Sequence, residues 1–147
     1  MSRSAEVPPP KLTPIIFIVD DDEAVRSALS LLVQSCGWRS RACASGGEFF
    51  AALASAWPAC IVVDLQLPDM DGSMLQREIS RLRMNLPVIV ITRYENHPRT
   101  LSAVLDGAKA VIAKPFGGNE LIAAIARLIG PPSEAPNPPR AMLPAST

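Results

Sequence analysis

Four short, continuously apolar runs constrain the fold of this chain more than any other feature. They occupy residues 15–19, 60–63, 88–91 and 111–113. A strand with one face in water alternates apolar and polar residues, whereas a strand of a parallel sheet is covered on both faces and is apolar throughout. The four runs therefore predict buried strands of a parallel sheet. Residues 39–44 are more polar and predict a weaker strand at the edge of that sheet.

The segments between the runs have the spacing and the end signals of helices. Asp22 is placed to cap a first helix that reaches about Cys36, and Gly37 supplies a left-handed stop. Residues 45–48 form a capping box for a second helix, which we expect to continue to Ala56.

Two further helices and a short one complete the pattern. The third helix has Leu75, Ile79 and Leu82 on one face, a short helix is expected near residues 101–105, and the last begins after Gly117. Strand and helix thus alternate five times in about 115 residues, which predicts right-handed crossovers. The expected fold is α/β, a doubly wound parallel sheet with helices on both faces.

Polar residues follow each buried run. Asp20, Asp21 and Asp22 follow the first, Asp64 ends the second, Thr92 ends the third and Lys114 follows the last. Because the carboxyl ends of parallel strands meet at one edge of the sheet, these side chains are expected to share a crevice. An ammonium and a hydroxyl suit the oxygens of a phosphoryl group.

Asp20, Asp21 and Asp64 are expected to form an acidic pocket. Like charges at such a distance repel unless a cation screens them, so a divalent metal is implied. Oxygen donors without histidine or cysteine favour a hard ion, and a site that keeps water positions favours Mg²⁺ over a fully caged Ca²⁺. Taken alone, the aspartate run is equally explained by helix capping and the helix dipole.

Charge and cysteine content exclude several classes of protein. Fourteen basic residues balance fourteen acidic ones, so nothing predicts direct binding of nucleic acid. The three cysteines lack metal-ligand spacing and indicate buried thiols in a reducing compartment. No secretory signal and no membrane-spanning stretch is found, so we expect a cytoplasmic protein.

The composition also divides the chain. Residues 1–13 contain three consecutive prolines and predict a flexible leader, residues 14–130 a single domain, and residues 131–147 a proline-rich disordered tail or truncated linker.

The chain resembles the receiver (CheY-like) domains of two-component response regulators, and its pattern is most similar to the FixJ-type receivers. The resemblance covers residues 14–129. It depends on four motifs in order, which are VDDDE at 19–23, VDLQLPDMDG at 63–72, IT at 91–92 and AVIAKPF at 110–116. It implies a flavodoxin-like fold with five parallel strands in the order 2-1-3-4-5.

The resemblance also implies roles for individual residues. Asp64 would be the phosphoacceptor, Asp21 a direct Mg²⁺ ligand, Asp20 a ligand through water, and the main-chain carbonyl of Gln66 a further ligand. Thr92 and Lys114 would hold the phosphoryl oxygens. The bond between Lys114 and Pro115 is expected to be cis, as is common in the family.

Two positions depart from the family pattern. Arg93 stands where a small residue is usual, and Val111 stands where an aromatic residue is usual. We expect both, together with Tyr94, to modulate phosphate access or switching. A pair of Arg93 with Asp64 or Asp69 in the resting state would partly substitute for Mg²⁺, and the alternative is an arginine that points into solvent.

The resemblance implies a signalling module that a histidine kinase or phosphotransfer protein phosphorylates and that acts by contact with another protein. Its only reactions would be self-phosphorylation and autodephosphorylation. One alternative is a Mg²⁺-dependent phosphohydrolase with an aspartyl-phosphate intermediate, although such enzymes typically need Asp-x-Asp-x-Thr after the first strand and residues 20–23 are DDDE. Another is a receiver fragment of a longer DNA-binding regulator.

The last helix offers a candidate contact surface. Its apolar residues predict a core face, whereas Ala123, Ala124 and Ala126 are expected on the opposite side with little charge. Such a face is either a protein contact, including a possible homodimer, or simply exposed.

Overall fold

A computed structural model describes residues 14–70, 72–93, 98 and 107–131 of the chain. The elements, in order, are β1 (Ile15–Val19), α1 (Glu23–Ser35), β2 (Arg39–Cys43), α2 (Gly46–Ala52), β3 (Cys60–Asp64), α3 (Gly72–Arg81), β4 (Val88–Thr92), β5 (Ala110–Ala113) and α4 (Gly118–Ile129). The leader, the short helix near residues 101–105 and the tail beyond residue 131 lie outside the described residues. None of the described helices has the length and hydropathy needed to span a bilayer.

The predicted sheet is confirmed. Five parallel strands have the order β2-β1-β3-β4-β5, so the weak strand β2 lies at an edge. The register aligns the carboxyl ends, because Val19 is paired with Val63, Asp64 with Ile91, and Thr92 with Ala113. The polar residues that end the strands are thereby brought to one edge of the sheet.

The continuous apolar runs are explained by burial on both faces. In β1, Phe17 and Val19 belong to one core cluster and Ile16 and Ile18 to the other, on opposite sides of the sheet. Phe17 meets Phe49 of α2 edge to face, with ring centroids 5.7 Å apart. Burial of one large apolar side chain contributes about 1.5–3 kcal/mol, so the two clusters supply much of the stability of the fold.

The start and stop signals of α1 are confirmed. Oδ1 of Asp22 accepts the N–H groups of Ala24 at 2.9 Å and Val25 at 3.3 Å. Gly37 has φ of 100°, a conformation that is costly for a residue with a side chain.

Two details of the predicted second and third helices are wrong. The second helix ends at Ala52 instead of Ala56, because the chain then tightens into three-residue turns in which Leu53 bonds to Phe50 and Ser55 to Ala52. Leu82 is not part of a buried face, since α3 ends at Arg81 and the side chain of Leu82 is 47% exposed.

The expected alanine face of the last helix is also corrected. Ala124 is buried, because it lies with Leu121 and Ile125 on the stripe that packs against the sheet. Ala126 is half-buried, which leaves Ala123 as the exposed member of the set.

Candidate functional site

The carboxyl edge of the sheet forms an open cleft of about 440 Å³. The sequence predicted a shared crevice, and the cleft is lined by most of the predicted site residues, namely Asp20, Asp21, Asp64, Gln66, Thr92, Arg93 and Lys114. Val111 is instead half-buried in β5 and packs against the core. Tyr94 lies outside the described residues.

Three aspartates converge at the base of the cleft. One carboxylate oxygen each from Asp20, Asp21 and Asp64 lies within 4.8 Å of the others. Asp20 is completely buried, Asp64 is half-buried and Asp21 is exposed. The group places three carboxylates around a small space, and carboxylate oxygens are the ligands that a hard divalent cation prefers.

Asp20 is the member of this group whose charged form is least favoured by its surroundings. Burial raises the pKa of Asp20 and repulsion from Asp64 adds to the increase, although the N–H of Asp22 opposes it by donating to Oδ1 at 2.9 Å. A charged carboxylate in such a position is stabilised by a nearby cation. The aspartates therefore fit the Mg²⁺ ion that the sequence pattern implies.

Lys114 supplies a positive charge from within the protein. Its Nζ atom lies 2.8 Å from Oδ2 of Asp64 and 3.5 Å from Oδ2 of Asp20. Burial lowers the pKa of Lys114, but the bonds to Asp64 and Asp20 raise it above its ordinary value. Lys114 is therefore an ammonium group at neutral pH, and its bond to Pro115 is cis as expected.

The carboxylate of Asp64 is oriented by two bonds. Its Oδ1 atom accepts the N–H of Gln66 at 2.8 Å, while Oδ2 accepts from Lys114. One oxygen therefore faces the loop after β3, and the other faces the ammonium group across the cleft.

Thr92 and Arg93 occupy different positions at the cleft. Thr92 ends β4 and is buried, whereas Arg93 is exposed at the mouth. Among the described residues, Arg93 forms no ion pair with Asp64 or Asp69, which agrees with the solvent-pointing alternative. Asp64 accepts from Lys114 instead, and Asp69 accepts the N–H groups of Gly46 and Gly47.

Sequence reasoning missed Arg26. Its guanidinium donates to the main-chain carbonyl of Asp20 at 2.7 Å, and the N–H of Asp20 donates to Cys43 at 3.1 Å. These bonds fix the backbone of the acidic turn between β1 and α1. The only signal in the sequence is an arginine in the first turns of a helix that follows an acidic run.

Comparison with known proteins gives a consistent result. The family model described as "Response regulator receiver domain" matches residues 16–126. The response regulator protein TodT of Pseudomonas putida is 35% identical over 127 residues, which cover 86% of this chain and 56% of TodT. The C4-dicarboxylate transport transcriptional regulatory protein DctD of Rhizobium meliloti is 33% identical over 114 residues, which cover 78% of this chain.

Solved structures agree with the sequence matches. The crystal structure of FixJ-N superposes with a TM-score of 0.73 at 34% identity, and the match covers 80% of this chain and 94% of that one. The curated regulators are longer than the matched region, since the chain spans 56% of TodT and 25% of DctD.

Proposed function

The chain belongs to the family of response regulator receiver domains, and from that premise we propose that Asp64 accepts a phosphoryl group from a histidine kinase or phosphotransfer protein. One observation carries this proposal. The Asp64 carboxylate lies at the end of a buried strand, in an open cleft, with the ammonium group of Lys114 2.8 Å away. A nucleophile and a cation for the transferred oxygens are thus preorganised in one place.

Asp21, Asp64 and the main-chain carbonyl of Gln66 would hold Mg²⁺ directly, and Asp20 would hold it through water. The donor set supports this assignment because the three carboxylates are close together and one of them is buried. When bound, Mg²⁺ neutralises negative charge on the transferred phosphoryl group.

The residues of the chain perform the remaining steps. A carboxylate oxygen of Asp64 attacks phosphorus in line, and the bond from phosphorus to the donor nitrogen breaks with its electron pair going to that nitrogen. Lys114 exchanges its bond to Asp64 for one to a phosphoryl oxygen, and the hydroxyl of Thr92 donates to another. Water later hydrolyses the acyl phosphate, so the domain resets itself and does not turn over an outside substrate.

The output of the phosphorylated domain would be a protein contact. Equal numbers of basic and acidic residues give no footprint for direct nucleic-acid binding, which supports a protein partner. We assign this function to residues 14–130 in the cytoplasm, and a homodimer is one form that the contact can take. The phosphohydrolase alternative requires its nucleophile after the first strand, whereas Asp64 ends β3.

Phosphorylation by a small donor tests this proposal. The protein should gain one phosphoryl group in Mg²⁺ with acetyl phosphate, measured by intact mass, and should gain none in EDTA. Asp64→Asn should abolish the gain, whereas Glu23→Gln, which removes a carboxylate from the first turn of α1, should preserve it. An Asp64→Asn protein that is phosphorylated at the wild-type rate would refute the assignment.

A further inference from the structure

The loop that follows β3 is joined to the start of α2 by the side chain of Asp69. Its Oδ1 atom accepts the N–H of Gly46 at 3.0 Å, and its Oδ2 atom accepts the N–H of Gly47 at 2.8 Å. Asp69 lies 23 and 22 residues after these glycines. The first amides of a helix have no acceptor within the helix, and here one carboxylate serves two of them.

The other donors of this turn also have acceptors. Oγ of Ser45 accepts the N–H of Glu48 at 3.1 Å, which confirms half of the predicted capping box. The carboxylate of Glu48 accepts the N–H of Ala44 at 2.8 Å, where a complete capping box would use Ser45. The start of α2 is therefore a fixed point to which the loop is attached.

The two glycines allow the loop after β3 to approach the start of α2 closely. A Cβ atom on Gly46 would lie 2.5 Å from Sδ of Met70, and one on Gly47 would lie 3.3 Å from Oδ2 of Asp69. Met70 in turn packs against the core cluster that contains Phe17. We call Asp69, Met70, Gly46 and Gly47 the Asp69 clasp.

The loop held by the clasp begins in the cleft. The N–H of Gln66 donates to Oδ1 of Asp64 at 2.8 Å, and Leu67 and Pro68 line the same cleft. The loop is therefore fixed near its start by Asp64 and near its end by Asp69. Between these points the chain has little freedom to move the main-chain carbonyl of Gln66.

We propose that Asp69 is a positioning residue, which acts through the loop to hold the Gln66 carbonyl in place for Mg²⁺. This inference rests on the proposed function, because it takes Gln66 as a metal ligand. Partners that orient a metal ligand typically change metal affinity by about 10–100-fold when they are removed. Asp69 acts at a distance of three residues, so we expect a loss of roughly tenfold.

Calorimetric titration of the whole chain with Mg²⁺ tests the proposal. Asp69→Asn keeps the size of the side chain but removes the charge and one acceptor, and should weaken Mg²⁺ binding by about tenfold. Gly46→Ala leaves the charge unchanged and displaces Met70, so it should weaken binding in the same direction. Thermal unfolding in EDTA should show that both variants are folded at the titration temperature.

Two control variants distinguish loss of the clasp from other causes of weaker Mg²⁺ binding. Glu23→Gln removes an exposed carboxylate of α1 that is not part of the clasp, and Gly117→Ala adds a Cβ that meets nothing within 4 Å. Both should bind Mg²⁺ as the wild type does. Wild-type affinity in Asp69→Asn, equal losses in Asp69→Asn and Glu23→Gln, or wild-type affinity in Gly46→Ala would each refute the positioning role alone. A wild-type protein that binds no Mg²⁺ would refute the proposed function as well.

Discussion

Replacing Lys114 by methionine tests the electrostatics of the cleft directly. Nζ of Lys114 lies 2.8 Å from Asp64 and 3.5 Å from Asp20. The side chains of Lys114, Asp64 and Asp20 are 17%, 14% and 1% exposed, so water screens these pairs only in part. Methionine keeps most of the length of the side chain and leaves three mutually repelling carboxylates without their ammonium partner.

The size of the effect follows from these distances. With an effective dielectric constant of about 20, unit charges at the two distances attract by roughly 6 and 5 kcal/mol before desolvation is counted. The free energy of desolvating the lysine ammonium group offsets most of this attraction. Removal of one partner from a buried ion pair typically costs about 3–5 kcal/mol of stability. Because this cleft is open to solvent, we expect Lys114→Met to lower the free energy of unfolding by about 2–4 kcal/mol without metal, or roughly 8–16 °C in Tm.

Thermal unfolding in EDTA measures this loss, and Lys109→Met is the matched control because Lys109 is exposed. Mg²⁺ should then raise the Tm of Lys114→Met by more than it raises that of the wild type, since the uncompensated carboxylates bind the cation more tightly. Equal Tm values for the two lysine variants in EDTA, or equal Mg²⁺ stabilisation of Lys114→Met and wild type, would show that Lys114 does not compensate the acidic group.

Three further changes test other parts of the site and the core. Arg93→Ala should speed both phosphorylation by small donors and hydrolysis, because the long side chain of Arg93 lies at the cleft mouth. Stopped-flow rates that stay unchanged would show that Arg93 does not restrict access to the cleft, and slower uptake would show that its charge dominates. Asp21→Ala should weaken Mg²⁺ binding far more than Glu23→Ala, and equal losses by calorimetry would contradict the ligand assignment. Burial raises the pKa of Cys43 to about 11 and of Cys60 to about 12 from 9.0, so the folded state retains protons that the unfolded state loses, and the free energy of unfolding should fall as pH rises above about 9. Denaturant titrations at several pH values should show that the free energy of unfolding falls less steeply with pH in Cys60→Ala than in the wild type. An identical slope in the two proteins would contradict the raised pKa of Cys60.

The sheet could be predicted because the residues of each strand are enough to identify it. In β3, an unbroken apolar run followed by one carboxylate is enough to indicate burial on both faces and the position of Asp64. Because the carboxyl ends of parallel strands lie at one edge of the sheet, Asp20, Thr92 and Lys114 could be placed at that edge before any contact was known.

Other features depend on contacts that spacing does not reveal. The clasp joins Asp69 to Gly46 across 23 residues, and the sequence does not indicate that Met70 packs against the glycine pair. Ala124 is buried because of the direction from which α4 packs, which a count of alanines does not show. Asp64 and Arg93 line the same cleft, but Asp64 pairs with Lys114 at 2.8 Å, and the spacing of the residues along the sequence does not show which cation takes this position.

The central claim is that Asp64, and not one of the neighbouring aspartates, carries the phosphoryl group. Borohydride reduces an acyl phosphate to an alcohol, so it converts a phosphorylated aspartate to homoserine, which peptide mass spectrometry locates by residue. The protein treated with acetyl phosphate and Mg²⁺ should contain homoserine at position 64 and aspartate at positions 20 and 21. Homoserine at position 20 or 21, with aspartate retained at 64, would contradict the account.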